Sequence, residues 1–277
     1  MGHVSVEKSR LQRLKILAMQ GNECPMASLC KWHKQCPEVY WLVINLPSQC
    51  AICKAWPAIP ICQACVSAFG QPKPRCQRCA LAMPSPFWRT AHMRANDQPT
   101  LCTDCLQSPP LLEACWAATS YTWPWTLLVT QFKFQNDPAW AQALALLMQS
   151  SPGVEDALDQ ADVILPMPLS AQRLAERGFN QALLLAKALN ASKTQAFTLL
   201  KLKHTAQQST LKRSERLHNL AGALAVAPLR AASLRGQKVL LVDDVMTSGA
   251  SLNTAAQVLK QAGAQSVKGL VFARTEA

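Results

Sequence analysis

From residue 116 onward, short apolar runs alternate with stretches of helical period. The runs are residues 116–121, 162–165, 197–200, 239–242 and 267–273, each bounded by proline, glycine or charge. Short runs bounded in this way are what buried strands leave in a sequence. Between them, Leu127, Leu128, Phe132 and Phe134 suggest a short helix, and Pro138 opens a second over 139–148, at the first-turn position that proline tolerates. Residues 171–189 read as a basic helical segment, in which Gly178 permits a backbone turn before the amphipathic run 182–189. A last helix, 250–262, places Leu252, Ala255, Ala256 and Leu259 on one face and ends at Gly263. Residues 201–219 are polar, basic and without period, as a lid beside a site would be. Strand and helix taking turns predict an α/β domain over 111–277, built on a mostly parallel sheet with flanking helices.

The preceding segment, 47–110, has a different character. Four pairs, Cys50-x-x-Cys53, Cys62-x-x-Cys65, Cys76-x-x-Cys79 and Cys102-x-x-Cys105, are separated by proline-rich and polar links. A Cys-x-x-Cys knuckle turns two thiolates onto one tetrahedral ion, and a second knuckle completes the shell, so these eight cysteines fit two structural zinc sites. Metal binding also explains how so short a segment folds, because it replaces the core the segment lacks. One such pair can be redox-active and four can carry iron–sulfur clusters, but neither a redox partner motif nor ferredoxin-like spacing accompanies them. Sequential pairing of the knuckles is simplest, and a crossed arrangement uses the same residues. Cys115 stands apart and reads as a buried thiol at the start of the next domain. Residues 1–46 form a poorly defined extension, where Cys24, Cys30, His33 and Cys36 do not repeat the tight spacing.

Composition narrows the class. With 277 residues, 49% of them hydrophobic and 16% charged, the chain is globular with a sizeable core. No apolar run approaches the ~18 residues that cross a bilayer. Arg13 and Lys15 interrupt the one candidate signal core, so no membrane insertion and a cytoplasmic location are expected. Twelve cysteines in such a chain point to metal ligation rather than disulfides. The net charge of +12 is uneven: between residues 171 and 216 nine basic residues face two acids. That excess attracts polyanions, either a pyrophosphate in a site or a nucleic-acid backbone along a face.

The candidate chemistry lies at residues 239–251, VLLVDDVMTSGAS. Asp243 and Asp244 are expected to stop the strand 239–242. In an open α/β sheet the space beyond the carboxyl ends of the strands is where ligands bind. Thr247, Ser248, Gly249, Ala250 and Ser251 follow, small residues whose amides can surround an anion at a helix start. A helix cap alone would account for Thr247 or Ser248, but not for two consecutive acids at a strand end. Hydroxyls for the acids and phosphate for the amides describe a sugar phosphate. Arg173 and Arg177, four residues apart after the strand 162–165, suit pyrophosphate oxygens through bidentate bonds.

These residues resemble the 5-phosphoribosyl 1-pyrophosphate (PRPP) motif of type I phosphoribosyltransferases, with Ser248 and Ser251 where that family often has threonine. The resemblance implies that Asp243 and Asp244 hold the ribose hydroxyls and that Thr247 to Ser251 wrap the 5-phosphate. The order of the parts is similar to the ComF family, which includes GntX-type proteins and joins a double zinc ribbon to a phosphoribosyltransferase-like domain. Besides the PRPP motif, the match rests on Pro166-x-Pro168, on Arg177-Gly178-Phe179-Asn180-Gln181, and on Thr205, Gln208, Arg216 and Asn219 in the lid-like stretch. Lys203 and His204 occupy places where relatives commonly carry arginines. Membership implies a role in DNA uptake and natural transformation, with PRPP or nucleotide and single-stranded DNA as ligands and other competence or DNA-processing proteins as partners. It implies two functional classes: a binding module, or an active phosphoribosyltransferase in which Mg2+ accompanies PRPP, Asp243 and Asp244 act at the reacting ribose, and a nitrogen nucleophile displaces pyrophosphate.

Overall fold

The computed structural model describes residues 48–56, 58–83, 100–134, 137–202 and 223–276. They group into two compact units, one ending at Phe69 and one running from Gly70 to the carboxyl terminus. In the first, Ser48 and Ala58 form an antiparallel bridge, the Ser48 amide donating to Ala58 O at 3.0 Å and the Ala58 amide to Ser48 O at 2.7 Å. A helix, α1 (Gln63–Phe69), follows and buries Cys65 and Val66.

The second unit opens with a bridge between Arg75 and Ala82 and the short helix α2 (Thr103–Gln107). Next come β1 (Cys115–Ser120), α3 (Trp125–Phe134), α4 (Trp140–Gln149), α5 (Val154–Gln160) and β2 (Val163–Pro166). Then follow α6 (Ala171–Arg177), α7 (Gln181–Asn190), β3 (Leu199–Lys201), β4 (Leu224–Val226) and α8 (Pro228–Ala231). The chain closes with β5 (Lys238–Met246), α9 (Ala250–Gln261) and β6 (Ser266–Arg274). A four-stranded parallel sheet runs in the order β1-β6-β5-β2, and β3 pairs antiparallel with β4 outside it. The mostly parallel sheet expected from the alternating runs is thus present.

The pleat of β5 divides its residues between two layers. Val239 and Leu241 join Val267, Val271 and the Leu252, Ala255 and Leu259 face of α9 in one fully buried cluster. Leu240 and Val242 lie on the other side, where α7 packs across β2 and β5. There, too, the Trp125 and Phe272 rings meet edge to face at 5.9 Å.

One expectation needs correction. The acids do not stop the central strand: β5 continues through Asp243 and Asp244 to Met246, because β6 keeps pairing beside it, Asp243 with Val271, Val245 with Ala273 and Met246 with Arg274. Pairing with β2 does end, at Pro166 opposite Val242. The four residues of β5 past that point are therefore held on one edge and open on the other.

Candidate functional site

The open edge forms one wall of a cleft. Asp243, Asp244, Thr247 and Ser251 line it from β5 and the start of α9, Arg173 and Arg177 from α6, and Lys133 and Lys201 from α3 and β3. The two arginines that the sequence paired with the acids do converge with them. Ser170 caps α6, its Oγ accepting from the Arg173 amide, and Gly178 ends the helix at φ 73°, with its amide donating to Leu174 O at 2.8 Å. Asn180 then caps α7 through the Leu183 amide at 3.2 Å and donates from Nδ2 to Met167 O at 3.0 Å, locking the helix start to the end of β2. Arg177 donates to Gln181 Oε1 at 3.1 Å and lies over the Phe134 ring at 5.3 Å.

Alternation along β5 sends the two carboxylates to opposite faces. Asp244, on the face of Leu240 and Val242, accepts from Lys133 Nζ at 2.9 Å, with both side chains largely buried. Asp243 accepts the Asp244 amide at 2.9 Å. Burial, and next the neighbouring Asp244 carboxylate, raise the Asp243 pKa from 3.8 to about 7, although Lys133 and Lys201 pull the other way. Lys201 is pushed down by burial and by Arg173. Sequence reading assigned neither lysine to the site: Lys133 is a lone cation in its segment and Lys201 one of nine in a basic stretch, and only the fold brings them to the acids.

The loop after β5 is shaped by its glycine. Gly249 has φ 78°, and a Cβ there would collide with Met246 Cε. Ser248 Oγ accepts the Ala250 amide at 3.4 Å. Among the described residues, no acceptor takes the amides of Thr247, Ser248, Gly249 or Ser251, so the loop offers four N–H groups at the amino end of α9. Ser248, Gly249 and Ala250 belong to this loop without lining the cleft. Thr205, Gln208, Arg216 and Asn219 lie outside the described residues, as do Cys24, Cys30, His33 and Cys36.

Of the basic residues between 171 and 216 that are described, Arg173, Arg177 and Lys201 line the cleft. Lys193 instead donates to Leu158 O and Asp159 O at 2.9 Å, satisfying carbonyls at the end of α5. Three of the five described basic residues of that stretch therefore lie at the site.

The eight paired cysteines form two clusters, Cys50, Cys53, Cys62 and Cys65 in the first unit, and Cys76, Cys79, Cys102 and Cys105 in the second. The pairing left open by the sequence is the sequential one. Sγ atoms stand 3.8 Å apart for Cys50 and Cys65, 3.6 Å for Cys53 and Cys62, and 3.6 Å for Cys79 and Cys102. Four sulfurs at ~2.3 Å from a tetrahedral zinc ion lie ~3.8 Å from one another. The amides of Cys62 and Cys102 donate to Cys50 and Cys76 Sγ at 3.3 Å. A bond from Cys79 and further backbone amides bring the Cys76 thiol down to about 4, while burial pushes Cys65 and Cys105 up to about 12. Sulfurs this close cannot all ionise without a cation between them, so both clusters fit structural zinc. Cys115 is a buried thiol at the start of β1, pushed up to about 12 by burial.

Residues 174–277 match the phosphoribosyl transferase domain family. Competence protein ComFC of Bacillus subtilis is 34% identical over 148 residues, 53% of this chain and 58% of that protein. Competence protein F of Haemophilus influenzae is 30% identical over 180 residues, 62% of this chain and 78% of that protein. DNA utilization protein YhgH of Salmonella typhimurium is 30% identical over 243 residues, which cover 84% of this chain and 100% of the relative. The chain belongs to the ComF family. Its fold is accordingly type I phosphoribosyltransferase-like, preceded by a small zinc-ribbon module. In this ComF-family protein the matched phosphoribosyl transferase segment begins at Leu174 within α6 and takes in both acids and the loop after β5. Lys133 lies ahead of it. Among the described residues no helix is long and apolar enough to cross a membrane.

Proposed function

We propose that this ComF-family protein binds PRPP or a related nucleotide in the cleft, together with Mg2+, and acts with single-stranded DNA and other DNA-processing proteins in DNA uptake. One observation carries the reading. A single cleft gathers two carboxylates, four cations, Lys133, Lys201, Arg173 and Arg177, and Thr247 and Ser251 from the loop whose amides lack an acceptor. Four cations against two acids leave a net positive site, which suits a ligand with more phosphate charge than hydroxyl. Asp243 and Asp244 accept from the pentose hydroxyls, the amides of residues 247–251 surround the 5-phosphate, and Arg173 and Arg177 face the pyrophosphate. Mg2+ would be brought by the phosphates of the ligand and would screen their charge, since Lys133 already pairs with Asp244. The names of the relatives, DNA utilization protein and competence protein, support the connection to DNA uptake.

The test is equilibrium binding of PRPP with Mg2+ to the zinc-loaded chain. Wild type binds, and the Asp243→Ala, Asp244→Ala double variant loses the ligand while keeping its metal and its circular dichroism. Retained affinity in that variant refutes the site assignment. A transferase activity at the same site is a separate question: release of pyrophosphate from PRPP across a panel of bases and nucleotides establishes it, and silence across the panel leaves a binding module. Single-strand DNA binding is tested by salt titration, where phosphate contacts predict a steep loss of affinity with salt.

A further inference from the structure

The phosphate loop is anchored from behind by the metal knuckle of its own unit. Arg274, at the end of β6, is 8% exposed, and its guanidinium spans two elements that are remote in sequence. Nε donates to Cys79 O at 2.9 Å, the carbonyl of a metal-ligating residue. Nη1 donates to Met246 O at 3.4 Å and to Thr247 O, the carbonyls that lead into the loop. In a planar trans peptide the C=O and N–H point to opposite sides. Holding the oxygens of Met246 and Thr247 toward Arg274 therefore turns the amides of Thr247 and Ser248 the other way, outward from this anchor.

Two further contacts stiffen the same link. Met246 places Sδ 3.7 Å from Cys115 Sγ while its methyl fills the space beneath Gly249, and the Cys115 amide donates to Gln77 O, inside the knuckle, at 2.8 Å. On the other side of the knuckle, Arg75 donates to Ala80 O at 2.8 Å and pairs with Glu276 at 3.1 Å, two residues beyond Arg274. The carbonyls of Cys79 and Ala80 are thus both held by arginines, Arg274 reaching on to the end of β5 and Arg75 to Ser120 at the end of β1 and to Glu276 just past β6.

We propose that Arg274 is a positioning residue that couples metal at Cys76, Cys79, Cys102 and Cys105 to anion affinity at the loop of residues 247–251. This rests on the PRPP reading of the cleft and adds to it a reason for the ribbon: the knuckle's backbone is the fixed point against which the loop's amides are aimed. Linkage is reciprocal, so a ligand held by those amides must in turn retain the metal. The first cluster, in the other unit, makes none of these contacts among the described residues and serves as the internal control.

The experiment uses the full chain carrying both zinc ions and follows their transfer to a coloured chelator with and without saturating PRPP. The expected result is that one ion of the two leaves about tenfold more slowly when PRPP is bound, and the other leaves at an unchanged rate. Arg274→Lys keeps the charge but cannot span both sets of carbonyls; it weakens PRPP binding about tenfold and abolishes the protection. Should that variant not fold, the wild-type rates decide alone. PRPP that binds yet leaves both release rates unaltered overturns the coupling while sparing the cleft assignment. A wild-type chain that binds no PRPP brings down both.

Discussion

Replacing Asp243 by asparagine should stabilise the protein, and by an amount that grows with pH. The carboxyl is held in the cleft where burial, and then Asp244, raise its pKa from 3.8 to about 7. At ~1.4 kcal/mol for each tenfold change in proton affinity, the native state resists this ionisation by about 4 kcal/mol. The direction follows from linkage: a group whose pKa is higher folded than unfolded contributes stability that is complete below pH 3.8, declines as pH rises, and is gone above about 7. Asparagine cannot ionise and keeps an oxygen to accept the Asp244 amide, so it escapes this loss. Relative to wild type, the variant gains roughly 2 kcal/mol at pH 5.5 and roughly 4 kcal/mol at pH 8. Any packing or hydrogen bonding that asparagine fails to reproduce adds a constant to both values, so the decisive quantity is the increase of about 2 kcal/mol between them. Urea denaturation of the zinc-saturated proteins at the two pH values measures it. A difference that is flat across this range would show that Asp243 is already ionised without penalty in the unliganded cleft, and the electrostatic account of the site would be wrong. The same variant should bind PRPP poorly, so stability and affinity move in opposite directions, as expected when a site holds a carboxylate for its ligand.

The other predictions concern the supports of the site. Lys133→Met strands the buried Asp244 carboxylate and should cost about 3 kcal/mol near pH 8, most of it recovered in the Lys133→Met, Asp244→Asn double variant, as a urea-denaturation double-mutant cycle will show. Asn180→Ala removes both the α7 cap and the bond to Met167 O and should cost about 1–2 kcal/mol by thermal unfolding, whereas Asn180→Asp retains the cap and loses less. Metal analysis should return two zinc ions per chain, falling to one in Cys76→Ser, Cys79→Ser, and a strong chelator should lower the thermal midpoint of the full chain.

Most of the strands were legible because each carries a run of buried apolar residues, and β5, α9 and β6 follow one another as expected, with only the end of β5 lying four residues beyond its apolar run. What escaped was either short or non-local. Helix α5 spans only seven residues after Ser151, Pro152 and Gly153, and its one local signal is the pair Glu155 and Asp156 in the first turn, where acids favour a helix start. Strand β4 is three residues long, and its pairing with β3 joins segments separated by more than twenty positions. Lys133 sits in QFKF on the flank of α3, where nothing local distinguishes it from a solvated lysine; its pairing depends on which way β5's pleat turns Asp244. Arg274 at the chain's end resembles any basic tail residue until Cys79 and Thr247 are brought around it.

The placement of the two acids shows why a site can be read from a motif and still be misdrawn. A strand that ended at Val242 would leave Asp243 and Asp244 on a loop, free to turn together toward water, and their repulsion would be screened. In the fold, β6 carries β5 four residues further than β2 does: β2 ends at Pro166 opposite Val242, and the Met167 amide gives β5 a last bond, to Val242 O at 2.9 Å. The acids are consequently fixed by hydrogen bonding on the β6 side and uncovered on the β2 side. Rigid pairing forces them to alternate faces, so one meets Lys133 and the other is left beside Asp244 in the partly closed cleft. The unequal lengths of two neighbouring strands thereby make two chemically identical side chains unlike: Asp244, paired to a cation, and Asp243, a carboxyl whose pKa is raised to about 7. Lengthening β2 past Pro166 would erase that difference by covering the edge from which the cleft opens.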